Sequence, residues 1–559
     1  MATEVHIGGR LETVAPRRVT DWGDRARLAA LVAVAVAVHA VVISRTAVTA
    51  RDSLEFARIA LQFQEPAAVR VPGDPADAPM TAFDVIRRAK HPPGFPTAVF
   101  LASTVVRQVA PGELPDQMLR AAQLASAVAA VLLVFPTYWL GRLLFGKFVG
   151  FAAALLFQVL PVAARVTSDG LTEGLYLLGL STALLLGVRA VKKPGIGGFL
   201  LCGLATGLTY LVRPEGLLAG AAVGLVVVGL TVSRRWTFGD GAARLTALAV
   251  GFGLTAAPYI ALIGGLTNKP TGVDLAPDFN PRAKAFAAAP AGPAVFAIWY
   301  MPEVDGASAT AKAVWVAKAI AVEGAKSFHY VPAVFALLGV GLASRRLRAE
   351  PWILVPFAYV VLLLGVLALV GWKKDYISER HTLSAVYVGC FFAGLAIEAV
   401  PRWVGRGGGL LAGLVLAALV ASCVPALLKP LHKERLGHVH AGRYLREVLR
   451  PGDALIDPFE WAAFYSGRTL SHIPPDPQGH TVAYAVLEQS ESPHSRLPRL
   501  QDALNVAKDG RAEVVFWWPK TARRTRPGWW CSSWTRRRSR VRWRCRRFGR
   551  PAAGPVAVA

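Results

Sequence analysis

The sequence predicts an all-α polytopic membrane protein of about eleven transmembrane helices, with a small α/β domain at its C-terminal end. Apolar residues make up 54% of the 559 residues, whereas charged residues make up only 18%. The apolar residues form runs of roughly 17–25, the length that crosses a hydrocarbon core of about 30 Å. Such runs must be helical, because a bilayer offers no water to satisfy open backbone groups. Residues 429–518 instead alternate short helical and strand-like patterns, which indicates a separate α/β domain.

The distribution of lysine and arginine predicts the orientation of these helices. Basic clusters recur in short loops and are expected to lie in the cytoplasm. They are Arg17/Arg18/Arg25/Arg27, Arg142/Lys147, Arg189/Lys192/Lys193, Arg234/Arg235, Arg345/Arg346/Arg348 and Arg402/Arg406. The pattern predicts a cytoplasmic N-terminus at 1–27 and a transmembrane domain at 28–428. The long outer loops of that domain are 50–93 and 267–328, and the short apolar segment 94–110 is predicted to be a surface or re-entrant helix.

The net charge of +26 does not indicate a nucleic-acid partner, because half of it lies in one segment. Residues 519–559 hold thirteen basic side chains and no acidic one. That composition predicts a disordered basic tail able to contact anionic lipid; a frameshifted gene end is the alternative. The extracytoplasmic α/β domain is accordingly predicted at 429–518, from an amphipathic helix around Tyr444, strands at 454–456, 482–487 and 512–518, and a helix at 497–506.

The first outer loop opens with two acidic residues, Asp52 and Glu55, directly after the first apolar run. On a helix they share one face. A carboxylate held there could act as the general base toward an acceptor hydroxyl. The alternative is structural, with Asp52 as the N-cap and Glu55 completing a capping box.

The same loop ends in Lys90 and His91, followed by Pro92 and Pro93. The two prolines fix the chain at this point. A Lys-His pair presented there could bind phosphate, or its side chains could simply reach toward lipid headgroups.

Further ionisable residues mark the other outer turns. Acidic side chains near a membrane span are expensive and therefore indicate either a binding role or a structural pairing. The candidates are Asp169, Glu173, Arg213, Arg380 and His381. Together with the first loop they predict one composite site at the membrane surface, suited to an anionic, lipid-linked substrate. The outer loops contain no Asp-x-Asp triplet, so no metal and no cofactor is predicted, although a divalent metal is not excluded.

These residues resemble, in their order along the chain, those of the GT-C glycosyltransferases that use polyprenyl-phosphate sugars. The resemblance is closest to bacterial relatives of the dolichyl-phosphate-mannose–protein mannosyltransferases and the lipid A aminoarabinose transferase. It implies that Asp52 is the catalytic base, that Lys90 and His91 approach the lipid phosphate, and that Asp169 is a second acidic position in the cavity. Many relatives have adjacent Asp-Glu in the first loop, whereas Ser53 and Leu54 intervene here, which leaves the role of Glu55 open.

The predicted function is an inverting sugar transferase at the outer face of a bacterial inner membrane. Its donor would be a polyprenyl-phosphate sugar lying among membrane lipids, and its acceptor a lipid, glycan or protein that the sequence does not identify. Glu173, Arg213, Arg380 and His381 would help to bind the substrate. Two alternatives belong to other classes: a lipid-linked sugar flippase or other transporter, and a nonenzymatic envelope polysaccharide assembly protein. A transporter should carry its polar groups near the midplane, in repeated halves, whereas here they cluster on one side.

Overall fold

The fold was analysed in a computed structural model. It describes residues 22–64, 81–269, 273, 277–279, 308–347, 349–405, 408–450, 453–457, 459–467, 483–489, 512–518 and 542–548. Most of these residues are helical. The α-helices are, in chain order, α1 Trp22–Ser44, α2 Arg51–Gln64, α3 Ala82–Arg88, α4 Gly94–Val109, α5 Leu114–Leu132, α6 Val134–Leu144, α7 Lys147–Val159, α8 Pro161–Val166, α9 Glu173–Lys192, α10 Ile196–Tyr210, α11 Leu217–Val232, α12 Phe238–Ile263, α13 Ala309–Ser327, α14 Val331–Ser344, α15 Leu354–Lys374, α16 Glu379–Val404, α17 Gly408–Leu427, α18 Leu436–Val448 and α19 Trp461–Tyr465.

The chain is a multi-span membrane protein. Among the described residues, eight helices are long and apolar enough to cross a bilayer, or nine if the bent pair α13 and α14 forms one span. Two shorter apolar helices, α7 and α10, lie between them. The predicted polytopic helical bundle is therefore confirmed, with eight or nine long spans among the described residues where the sequence predicted about eleven crossings. The segment predicted to lie at the surface is the 16-residue helix α4, which, unlike α7 and α10, is not among the apolar helices of the described residues.

The two ends of helix α1 carry different ionic clusters. At its N-terminal end the fully buried Asp24 lies 2.8 Å from Arg142 and 3.6 Å from Lys147, and it accepts a hydrogen bond from the Tyr138 hydroxyl at 2.6 Å. Arg27 also lies 3.6 Å from Asp24, so two of the predicted cytoplasmic basic clusters meet at this end. The candidate site residues of the outer loops meet at the opposite end, where α1 leads into α2.

The C-terminal region forms a four-stranded sheet with the order β1-β2-β4-β3. Its strands are β1 Ala454–Ile456, β2 Ala483–Gln489, β3 Ala512–Trp518 and β4 Arg542–Phe548. Strand β1 is parallel to β2, and β4 is antiparallel to both β2 and β3. The predicted strands correspond to β1, β2 and β3, and the predicted amphipathic helix corresponds to α18. The helix predicted at 497–506 lies outside the described residues.

Strand β4 corrects the prediction that the whole basic tail is disordered. It comes from within residues 519–559 and occupies a central position between β2 and β3. The physical reason is that strand pairing uses backbone hydrogen bonds, which an arginine-rich segment can form as well as any other without proline. Apart from β4, the tail lies outside the described residues.

Candidate functional site

The site is centred on Arg380, the second residue of α16. Its Nη1 donates to Asp52 Oδ2 at 3.0 Å, while its Nε and Nη2 donate to Glu173 Oε1 at 3.0 and 2.9 Å. Asp52 lies in the first turn of α2, and Glu173 is the first residue of α9. One guanidinium thus joins the starts of three helices that are far apart in sequence.

Ion pairing continues beyond Glu173 in an alternating row, which we call the ion chain. Arg213 Nη1 donates to Glu173 Oε1 at 2.9 Å, and its Nη2 donates to Glu215 Oε1 at 3.4 Å. Lys269 Nζ then donates to Glu215 Oε1 at 2.9 Å. The ion chain therefore runs from Asp52 through Arg380, Glu173, Arg213 and Glu215 to Lys269. Because Glu173 is only 2% exposed, its charge depends on the two arginines that flank it.

Arg213 is placed by the break between α10 and α11. Pro214 has no backbone N–H to donate to the preceding turn, so helix α10 cannot continue through it. A 3-10 turn, Pro214–Gly216, leads into α11 instead. The Arg213 backbone is extended at this break, and its guanidinium carbon lies 5.2 Å from the centre of the Tyr176 ring. The Tyr176 ring and the carboxylates of Glu173 and Glu215 together hold the Arg213 side chain at this break.

Asp52 is half exposed, with 49% of its side chain accessible. Loss of surrounding solvent would by itself raise the pKa of its carboxyl. The neighbouring Arg380, with smaller contributions from His91 and Arg51, outweighs this and holds the Asp52 pKa below its ordinary value. Asp52 is therefore ionised near neutral pH. The structure also corrects the capping interpretation: α2 begins at Arg51, so Asp52 lies inside the helix and its carboxylate bonds to Arg380.

Glu55 lies one turn further along α2 and faces the end of the same loop. Its Oε2 lies 3.5 Å from His91 Nε2, and the His91 ring packs edge-on against Phe56. Burial would raise the Glu55 pKa, but the hydrogen bond and charge of His91, with Lys90 and Arg58 nearby, lower it to about 2. Glu55 and His91 thus form a pair beside Asp52, with Lys90 close enough to act electrostatically on Glu55.

His381 and Asp169 have partners of their own. His381 Nδ1 accepts from the Ser378 backbone N–H at 3.2 Å and completes a capping box at the start of α16. Asp169 is 7% exposed, with Oδ1 accepting from Ala50 N at 3.0 Å and Oδ2 lying 2.8 Å from His432 Nε2. Burial raises the pKa of Asp169 even though His432 opposes that shift. Asp169 is therefore beside the ion chain but is not part of it.

A cavity of about 270 Å³ opens along the ion chain. Its polar wall holds Glu173, Arg213, Glu215, Lys269, Arg380 and His381. The rest of its lining is mostly apolar and includes Leu363, Val366, Leu367 and Val370 of α15 with Leu217 and Leu218 of α11. One carboxylate oxygen in this lining, Glu215 Oε2, is buried and accepts no hydrogen bond from the described residues. The cavity can accommodate a ligand that is charged at one side and hydrocarbon at the other.

Lys269 and His432 take part in these contacts but were not predicted from the sequence. Lys269 follows the left-handed Gly264 that ends α12, and His432 follows α17. Neither residue stands in a recognisable motif, so only the three-dimensional contacts reveal them. Among the described residues, no group of three or more His, Cys, Asp or Glu side chains could hold a metal ion.

Known proteins resemble this chain in sequence family and in fold. Residues 112–260 match the family described as Dolichyl-phosphate-mannose-protein mannosyltransferase. The crystal structure of ArnT from Cupriavidus metallidurans bound to undecaprenyl phosphate superimposes with a TM-score of 0.55 at 15% identity, covering 88% of this chain and 96% of that one. The chain has the fold of ArnT.

A second ArnT structure, in the apo state, gives the same TM-score of 0.55 and 15% identity over 94% of this chain and 98% of that one. The apo oligosaccharyltransferase of Archaeoglobus fulgidus gives a TM-score of 0.49 at 14% identity, over 82% of this chain and 66% of that one. No curated protein sequence matches the chain significantly. The family match over residues 112–260 and the ArnT fold, which accounts for nearly the whole chain, confirm the predicted resemblance.

Proposed function

We propose that this protein is an inverting glycosyltransferase, which moves a sugar from a polyprenyl-phosphate donor to a lipid, glycan or protein acceptor. The reaction would take place at the outer face of a bacterial inner membrane. The observation that carries the proposal is the cavity, because it joins a row of cations to an apolar wall within an ArnT fold. A polyprenyl phosphate has the same two halves.

The residues divide into those for the phosphate and those for the acceptor. Arg380, Arg213 and Lys269 lie on the cavity wall and can donate to phosphate oxygens. Asp52 is at the exposed end of the ion chain, where an acceptor can approach. Lys90, at the end of the first loop, would add positive charge beside Asp52, and His91 could donate a hydrogen bond there.

The chemical step is a single displacement at the anomeric carbon. The acceptor oxygen forms a bond to that carbon, the bond from the carbon to the phosphate oxygen breaks, and the acceptor proton passes to Asp52. Polyprenyl phosphate leaves with the electron pair, and Arg380 and Arg213 stabilise the charge that grows on it. As the phosphate draws Arg380 toward itself, the Asp52 pKa should rise from its depressed value, because Arg380 is the main cause of that depression. The base would then be strongest when the donor is bound.

The test is to incubate the purified protein with a panel of polyprenyl-phosphate sugars and acceptor extracts and to measure release of polyprenyl phosphate. Release with at least one sugar, lost in Arg380→Ala, would support the proposal. Arg443→Ala is the matched control, since Arg443 forms an ion pair with Asp116 away from the cavity. Movement of a lipid-linked sugar across liposomes without any release would instead indicate the transporter alternative.

A further inference from the structure

The segment that follows the last membrane helix packs on the few residues that precede Asp52. Leu431 N donates to Arg45 O at 3.1 Å, and Ala47 N donates to Leu431 O at 3.0 Å. Further along, Trp461 Nε1 donates to Thr49 O at 3.2 Å. The connection between α1 and α2 is therefore held along its length by the C-terminal segment.

Asp169 joins this contact to helix α2 itself. Its Oδ1 accepts from the backbone N–H of Ala50, the residue before α2, and its Oδ2 bonds to His432. Both oxygens of this buried carboxylate are engaged by neighbouring groups of the protein, which favours a structural role for Asp169. We call Asp169 and His432 the clamp.

The loop that carries Asp169 is itself rigidly held. Ser168 Oγ lies 2.7 Å from His39 Nδ1, and His39 Nε2 lies 3.1 Å from Gln158 Oε1, all within the bundle. Gly170, the residue after Asp169, has a φ of +70°. A Cβ at Gly170 would lie 3.2 Å from the Cβ of Ser53 in the first turn of α2. The loop thus touches α2 on one side and the buried core on the other.

The electrostatics of the clamp follow from its surroundings. Burial would lower the His432 pKa, but the hydrogen bond and charge of Asp169 outweigh it and raise that pKa above its ordinary value. Glu434, with a carboxylate oxygen 3.9 Å from His432 Nδ1, also raises the His432 pKa, whereas Arg435 lowers it. His432 is therefore protonated to a higher pH than a free histidine, and its positive charge, which pairs with Asp169, is lost as pH rises through this raised pKa.

We propose that Asp169 and His432 are positioning residues, through which the C-terminal segment fixes the first turn of α2 and so holds Asp52 against Arg380. The proposal rests on the proposed function only where it treats Asp52 as the base. It assigns to the C-terminal segment a part in building the site, although none of the described residues of that segment lines the cavity.

The first experiment measures hydrogen exchange of residues 47–56 in the full chain, and needs no substrate. His432→Ala should exchange about tenfold faster there than wild type, the change expected when one charge-assisted hydrogen bond is lost. Arg443→Ala is the control, because it breaks an ion pair of the same C-terminal segment with α5 that does not touch residues 45–52. Unchanged exchange in His432→Ala, or equal acceleration in Arg443→Ala, would overturn the proposal.

The second experiment uses polyprenyl-phosphate release and is informative if the wild type is active. His432→Ala should lose about tenfold to a hundredfold in kcat with little change in the KM of the donor, because only the base is displaced. His432→Gln can still donate to Asp169 but cannot titrate, so it should lack the wild-type decline of kcat as pH rises through the His432 pKa. A His432→Gln profile that keeps this decline would contradict the clamp. Absence of release from the wild type would count against the proposed function alone, and the exchange result would still decide the clamp.

Discussion

At the scale of single residues, Arg380 determines the state of the site. It is bonded to Asp52 and Glu173 at the same time, with heavy-atom distances of 2.9 to 3.0 Å. Glu173 is buried, so its carboxylate depends on the positive charge of Arg380. Asp52 is half exposed, so water can replace Arg380 as its partner. A ligand anion should therefore separate Arg380 from Asp52 before it separates Arg380 from Glu173.

We predict that Asp52→Asn lowers turnover by about 10²–10⁴, the usual contribution of a general base, while donor binding persists. Asparagine keeps the shape of the side chain but cannot accept the proton. Glu55→Gln is the matched control in the same helix. Glu55→Gln should lower turnover by less than about tenfold, because the partly exposed ion pair of Glu55 with His91 contributes little free energy. Donor consumption and donor binding measured side by side test both variants, and near wild-type turnover in Asp52→Asn would refute the assignment of the base.

The sequence could predict most of the ion chain but not all of it. Asp52, Glu173, Arg213 and Arg380 each interrupt an apolar context at a helix start, which makes them visible as expensive charges. Lys269 stands in a polar loop, where a lysine is unremarkable. Nor could the sequence assign partners: Asp169 looks like the other acidic candidates, and only its contacts with Ala50 and His432 distinguish it.

At the scale of elements, α4 is docked onto the turn that carries Arg213. Gly94 N donates to Leu211 O at 2.8 Å. A Cβ at Gly94 would lie 2.7 Å from that same oxygen and 2.9 Å from Val212. The glycine after the two prolines is therefore required for close approach of backbones.

We accordingly expect Gly94→Ala to destabilise the protein by about 1–3 kcal/mol, the usual result of overpacking, and to weaken donor binding by moving Arg213. Gly253→Ala is the control, because Gly253 lies within α12 and a Cβ there meets nothing within 4 Å. That variant should be neutral or slightly stabilised. Thermal unfolding in detergent distinguishes the two, and equal melting temperatures would show that the turn can adapt.

The C-terminal sheet yields a second prediction at this scale. Strand β4 is the neighbour of both β2 and β3, so removal of residues 519–559 should leave β3 without a partner. Limited proteolysis between β2 and the end of β3 should then become faster. Removal of residues 549–559 alone spares the strand and should have no such effect. If the longer deletion leaves proteolysis unchanged, the tail is dispensable, as its composition suggested.

The sequence predicted β1, β2 and β3 but not β4, because the residues of the first three strands differ in composition from those of β4. The first three strands have apolar or aromatic residues suited to a packed surface, and Tyr484 and Val486 of β2 lie in the core beside Leu445 of α18. The segment of β4 alternates Trp543 and Cys545 with arginines, which is a strand-like period, but its dense positive charge favoured a disordered tail. Its place in the sheet rests on backbone pairing with both neighbours.

At the scale of the whole molecule, the bundle separates its ionic clusters into two ends. Asp24 gathers Arg142 and Lys147 at one end of α1, and the ion chain lies at the other. The rule that basic loops stay in the cytoplasm assigns the ion chain to the exterior.

Single cysteines test this assignment in a background that lacks the native five. Glu434→Cys, next to the clamp, should react with a membrane-impermeant thiol reagent in cells opened only at the outer membrane. Arg346→Cys, between α14 and α15, should stay protected until the inner membrane is broken. The reverse labelling pattern would place the site in the cytoplasm and would rule out the proposed topology.

The ion chain has a consequence for how substrates arrive. Its three carboxylates and three cations neutralise one another in sequence, so the row projects little field beyond a Debye length into the surrounding water. Dissolved phosphate and nucleotides are then not drawn in from a distance. A lipid-borne donor does not need such attraction, because diffusion in the plane of the bilayer carries it past the apolar wall of α15. Capture would depend on the abundance of the lipid in the membrane and should respond only slightly to salt in the medium.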